Sequence, residues 1–244
     1  MKFRFIGLYG LWLGCAASLA GPTNILVATG ITEPSLHVTS SAPVPGILTV
    51  KHFKEGDFVK EGQAILELDK SLEELEKARR TSIADEKKRD YESTAVLFEK
   101  TKSVSKEDLL KKESDFKVAA AERDIAAEQL RRRIIAAPFT GQITEITVEV
   151  GEACQAYQPL VRLVDTSHCE FVSNLEAKLA ARLKLDQSVK LEVETGAAPV
   201  TVTGKIIFIS PVVDPASGLV KIRAEFENAD GKVRPGLAAK LLLE

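Results

Sequence analysis

Few residues of this 244-residue chain are equipped for chemistry. The thiols are Cys15, Cys154 and Cys169, and the imidazoles are His37, His52 and His168. They share no metal-ligand spacing. The single methionine is Met1, which excludes a methionine-rich copper site. There is no Gly-x-Ser-x-Gly, no His-Glu-x-x-His, no phosphate loop, and no histidine–carboxylate constellation that stands out. The expectation is a protein that is not an enzyme, with no catalytic residue, cofactor or metal. A net charge of −2 and a pI near 6.1 give no footprint for nucleic acid, so no such partner is expected.

The N-terminus carries an address. Lys2 and Arg4 precede the apolar run Phe5 to Leu13, and Ser18-Leu19-Ala20 precedes Gly21. That is a secretory signal over residues 1–20, cleaved near Ala20. The run is short for a membrane span, and no later stretch is apolar enough for one. Leu13-Gly14-Cys15 also offers a lipid anchor at Cys15, with Trp12 where such signals usually hold leucine. The chain is expected to be exported.

The elements that position everything else come from an internal repeat. Residues 42–69 and 137–164 align without a gap at an offset of 95. Ala42/Ala137, Pro43/Pro138, Gly46/Gly141, Gly56/Gly151, Gln63/Gln158 and Leu68/Leu163 coincide. Each half reads as short strands with turns, Gly46 and Gly56 taking turn roles that Gly141 and Gly151 repeat. Neither half has strands enough to bury a core alone. Cys154 falls where the first half has Val59, so a small buried hydrophobe is favoured there. A Cys154–Cys169 disulfide, which an oxidising compartment would permit, is the alternative.

Between the halves, residues 71–134 are highly charged and read as two helices. Ser71-Leu72-Glu73-Glu74 has the form of a capping box, and Ser105 followed by Asp108 caps the second helix. Apolar content is thin: Leu72, Leu75, Ile83, Val96, Leu97 and Phe98, then Leu109, Phe116 and Leu130 in heptad spacing that Arg123 interrupts. An antiparallel pair with small alanine contacts follows. Arg131-Arg132-Arg133 suits a helix C-terminus.

The remainder is β. Residues 22–41 read as one or two strands broken at Glu33-Pro34, expected to join the domain completed by residues 165–244. That stretch carries about five strands, with Gly204 marking a bulge, and suits a small closed barrel. The fold class is mainly β with an inserted α-helical hairpin.

GDFVKEGQAILELDKS from Gly56, APFTGQITEITVEVGE from Ala137, and the ending Ile209 to Leu241 with Asp214-Pro215, Asn228 and Pro235-Gly236 resemble the periplasmic adaptor subunits, or membrane fusion proteins, of tripartite efflux systems (the HlyD/RND-type family). The resemblance implies a lipoyl-like barrel-sandwich hybrid split by a coiled-coil hairpin, then a β-barrel. It implies an inner-membrane transporter as partner, RND-type ahead of ABC-type. It also implies a TolC-like outer-membrane channel and self-association, as a hexamer. The implied channel-binding tip holds Leu97, Phe98, Val104, Ser105 and Leu109. Leu97 and Ser105 match the last two members of the family's arginine–leucine–serine pattern, while Ser93 stands in the arginine's place. The family's membrane-proximal β-domain is expected to be absent, since the sequence ends at Glu244. Two other readings compete: a lipoyl- or biotin-type carrier, because Lys70 follows Asp69 where lipoyl domains carry their modified lysine, and a periplasmic scaffold with no efflux role. Against the carrier, Lys70 opens a helix and is not presented on a tight β-turn.

Overall fold

Short apolar runs punctuated by glycine and proline turns fold each half-repeat into short strands, and a charged stretch free of glycine and proline starts a helix at Ser71. A computed structural model describes residues 26–196 and 198–243. The signal segment 1–20, Cys15 and Ile25 lie outside the described residues. Strands β1 (Leu26–Pro34), β2 (His37–Ser41), β3 (Gly46–Lys51), β4 (Phe58–Val59) and β5 (Ala64–Leu68) lead into α1 (Ser71–Thr101) and α2 (Lys106–Arg131). Then come β6 (Ile134–Ala136), β7 (Gly141–Ile146), β8 (Ala153–Cys154) and β9 (Pro159–Val164). The chain finishes with β10 (His168–Glu176), α3 (Ala177–Ala180), β11 (Ser188–Val193), β12 (Val200–Ile209), β13 (Leu219–Glu227) and β14 (Ala238–Leu243).

The half-repeats complete one another strand by strand. One sheet runs β2-β9-β7-β4 and the other β6-β5-β3-β8. First-half β3 and β4 pair with second-half β8 and β7, and β5 pairs with β6, the strand just ahead of the second half. Leu48, Ile65, Leu66 and Leu68 then share one core with Ile143, Leu160 and Leu163. Gly56 and Gly151 sit at φ 91° and 93°, the left-handed turn that only glycine enters freely. Gly46 and Gly141 do not serve turns, contrary to expectation: they open β3 and β7. A Cβ on Gly141 would come within 2.4 Å of the Val164 carbonyl oxygen, so close strand approach explains that glycine.

The second unit is a closed antiparallel barrel, β1-β10-β13-β12-β11-β14, around Phe171, Leu191, Ile206, Ile222 and Leu241. Closure leaves no free strand edge. The placement of residues 22–41 needs correcting. β1 joins the barrel, but β2 pairs β9 in the other unit, because Ser35-Leu36 carries the chain across. Gly204 is no bulge. The register slips between Ile206 and Phe208, and Gly204 lies where a Cβ would meet Leu191 at 2.9 Å and the Glu225 carbonyl at 3.0 Å.

Cys154 and Cys169 are both free and buried, one in each unit. No helix among the described residues is long and apolar enough to cross a membrane.

The helices run antiparallel, since partners on α2 fall in number as those on α1 rise. Arg80 pairs with Glu122, Asp90 with Lys112 at 3.1 Å, and Tyr91 stacks on Phe116 with centroids 6.2 Å apart. Ala84, Ala119 and Ala126 are buried, so small residues permit close approach. Leu72 and Leu75 face outward, 78 % and 70 % exposed, while Glu73 and Arg80 turn inward in their place.

Candidate functional site: the hairpin and its two joints

The hairpin has a root, a tip and a neighbouring joint, and each is built from polar side chains at the ends of regular elements. At the root the expected Ser71 capping box does not form. Asp69 does that work: its Oδ1 accepts from the Ser71 amide at 3.1 Å and the Ser71 hydroxyl at 2.8 Å. Those bonds hold the Asp69 carboxyl below the usual range. The Glu74 amide donates to the Lys70 carbonyl at 2.9 Å. Lys70 lies between Glu67 at 2.6 Å and Glu74 at 3.6 Å, and Glu67 also meets His52 at 2.9 Å. The bond from Lys70, followed by that from His52, lowers the Glu67 carboxyl. A lysine held this way is part of the helix start and is not offered on a β-turn.

Arg133 closes the root from the other side. Its Nη2 donates to Glu73 Oε1 at 2.6 Å and its Nη1 to the Pro45 carbonyl at 2.9 Å. It therefore ties α1, the end of α2 and the entry to β3 together. Arg131 and Arg132 instead share Glu128, whose carboxyl the Arg131 and then Arg132 bonds hold at about 2. Three successive arginines thus do two different jobs, which their adjacency in sequence conceals.

At the tip, Lys102 closes α1 at φ 53°, with its ammonium 4.6 Å from the centre of the Phe98 ring. Ser105 caps α2 as expected, accepting from the Asp108 amide at 3.0 Å and donating to the Asp108 carboxylate at 2.7 Å. Its hydroxyl is committed to the fold. Leu97 is exposed, while Phe98, Val104 and Leu109 are half-buried. Val96 and Leu110, absent from the expected tip set, are as exposed as Leu97, at 47 % and 53 %. A count of outward positions on each helix, run back from the Lys102 turn, would have found them.

The joint between the two β-units is formed by two crossing strands. Asp165 N donates to the Leu36 carbonyl at 2.8 Å and Ser35 N to the His168 carbonyl at 3.1 Å. The nearly buried Asp165 carboxylate gathers the Ser167 amide and hydroxyl at 2.8 and 2.6 Å, and meets His168 Nδ1 at 3.0 Å. Burial pushes this carboxyl up, but the Ser167 and His168 bonds outweigh it and the net shift is downward. Serine, histidine and aspartate meet here in the wrong order for nucleophilic catalysis: Ser167 and Asp165 both address His168 Nδ1.

A lipoyl-type β-sandwich interrupted by a helical hairpin, followed by a closed barrel, defines an adaptor-type class of protein. The family model described as RND MFP, barrel-sandwich hybrid domain matches residues 37–166, and that described as CusB-like, beta-barrel domain matches 173–244. The chain belongs to the RND membrane fusion protein family. It is 29 % identical to SrpA, the solvent efflux pump periplasmic linker of Pseudomonas putida, over 82 % of this chain and 56 % of SrpA. It is 26 % identical to multidrug resistance protein MdtE of Escherichia coli K12, over 95 % of this chain and 67 % of MdtE. A solved MacA–MexA chimera, containing the Pseudomonas aeruginosa MexA α-hairpin domain, shares the fold. Its TM-score is 0.75 at 19 % identity, covering 90 % of this chain and 81 % of the chimera. The chain spans a little over half the length of several curated relatives it matches.

Proposed function

We propose that the chain is a periplasmic adaptor of a tripartite efflux system, working by docking rather than by chemistry. The carrying observation is the exposed apolar trio at the far end of the hairpin, Val96 and Leu97 of α1 and Leu110 of α2, where the 31-residue α1 starts on a β-unit. Such a helix is about 45 Å long, enough to hold its tip well away from the core of the β-units. Apolar side chains displayed there cost solvation unless a partner covers them. A TolC-like outer-membrane channel is that partner, engaged helix on helix. The β-units sit on the inner-membrane transporter, an RND-type pump, and copies of the adaptor assemble side by side as a hexamer. The transporter supplies the energy, and the adaptor couples the two ends.

The test is a photo-cross-linking residue at Leu110 in cells. Ser105 is a poorer place because its hydroxyl caps α2. Capture of an outer-membrane channel, identified by mass spectrometry, supports the reading. Capture of only the chain itself or soluble proteins, with the chain well expressed and exported, overturns it in favour of a scaffold with no efflux role.

A further inference from the structure

The two β-units face each other across an open cleft of about 400 Å³. The barrel wall presents Ile31 and Glu33 of β1, Pro34 at its end, and Pro235 from the loop before β14. The facing wall is β9, with Arg162 and Val164. Both walls are held in place by the fold. Gly236 N donates to the Thr32 carbonyl at 2.6 Å, Thr32 Oγ1 to the Leu237 carbonyl at 3.1 Å, and Thr144 Oγ1 to the Arg162 carbonyl at 3.2 Å.

Glu33 and Arg162 are the charged residues lining this cleft. Among the described residues neither the Glu33 carboxylate nor the Arg162 guanidinium has an ion-pair or hydrogen-bond partner, and they do not pair with each other. Ile31, Pro34, Val164 and Pro235 supply apolar surface beside them. A cleft of this volume at a domain boundary, apolar with a few convergent polar groups, is the usual form of a small-molecule site. We infer that it binds a small zwitterion with an apolar body. The molecule's carboxylate lies on the Arg162 fork, its ammonium on Glu33, and its body between the walls. A purely anionic ligand would face Glu33, and a purely cationic one Arg162. Two merely solvated side chains would show no preference for a dipolar ligand.

Titration calorimetry of the full chain tests this with L-phenylalanyl-L-leucine and with its N-acetylated, C-amidated form. The free dipeptide should bind, and the capped form about 10-fold more weakly or not at all. Arg162→Gln and Glu33→Gln should each weaken the free dipeptide roughly 3- to 10-fold while leaving the melting temperature in place. Equal binding of free and capped dipeptide, or binding that ignores both substitutions, overturns the proposal. So does an absence of binding at millimolar dipeptide.

Discussion

Arg133 reaches Glu73 across 60 positions of sequence, Nη2 to Oε1 at 2.6 Å, and closes the root of the hairpin. The pair is mostly shielded, with the two side chains 24 % and 18 % exposed, so it is worth more than a surface ion pair. Arg133→Ala also strips the Pro45 carbonyl of its partner. The expected loss is about 1–2 kcal/mol in urea unfolding. A double-mutant cycle with Glu73→Ala should return a coupling of roughly 0.5–1 kcal/mol. Additive single losses would show that the pair carries nothing.

The root and the seam were only partly legible in the sequence. The repeat, the β-to-helix change at Ser71 and the Ser105 cap could be read because each depends on residues close in sequence or on a strict offset. The alanine contacts of the helix seam could also be read, but its root end could not. Leu72 and Leu75 look like core residues, but there the face bearing Glu73 and Arg80 turns inward and ion pairs stand in for apolar contact. β2 was assigned to the wrong unit because Ser35-Leu36 marks a turn without saying which sheet follows. Arg162 and Glu33 carry no local signal, since the cleft between them exists only once both units have folded.

Asp165 is predicted to set the angle between the two β-units. Its carboxylate binds Ser167 and His168 on its own segment and accepts from the Ser35 hydroxyl at 3.5 Å across the crossing strands. Asp165→Ala should cost about 1.5–3 kcal/mol and broaden the distance distribution between spin labels placed on the barrel and the β-sandwich. An unchanged distribution would restrict Asp165 to local stability. The pH dependence has a definite sign. The folded carboxyl titrates below its unfolded value, so its stabilisation is present above the unfolded pKa and disappears as pH falls through the folded one.

Cys169 makes the opposite prediction. Burial, helped by the Asp165 charge, pushes its thiol from the ordinary 9.0 up to about 11. The folded state therefore holds this proton more tightly than the unfolded state does. Its contribution is complete below pH 9 and is lost as pH rises through about 11. Over that window wild type should lose roughly 2–3 kcal/mol relative to Cys169→Ala, measured as the difference between their denaturant midpoints. Parallel curves for the two proteins would show that the thiol does not titrate late.

At the tip, Leu97→Asp should leave folding nearly untouched, within about 0.5 kcal/mol, because the side chain is already half in water. If the proposed docking holds, it should abolish the cross-link from Leu110 to an outer-membrane channel in cells. A cross-link that persists with normal expression would remove Leu97 from the docking surface.

Tyr157 stands at φ 64° where the first half-repeat has Gly62 at φ 79°. A bulky residue strains that conformation, and its side chain is 83 % exposed, so little packing offsets the cost. Tyr157→Gly should leave stability unchanged or raise it by roughly 0.5–1 kcal/mol, the strain relieved being partly offset by the freer unfolded chain. A loss of more than that in denaturant unfolding would mean the ring packs on something in solution.

The split repeat also dictates an order of events in time. Within the first half β3 and β5 pair locally, but β3, β4 and β5 also need β8, β7 and β6, which the chain supplies only after the hairpin. Closing so long a loop is slow, although its entropic cost grows only with the logarithm of its length. The hairpin changes that arithmetic. Its contacts are local along an antiparallel pair, so it can assemble first and deliver Ile134 beside Glu67, the register that β5 and β6 keep. A weakened hairpin root should then slow folding more than it lowers stability. The inserted helices would serve as a clamp during biogenesis before the tip meets any partner.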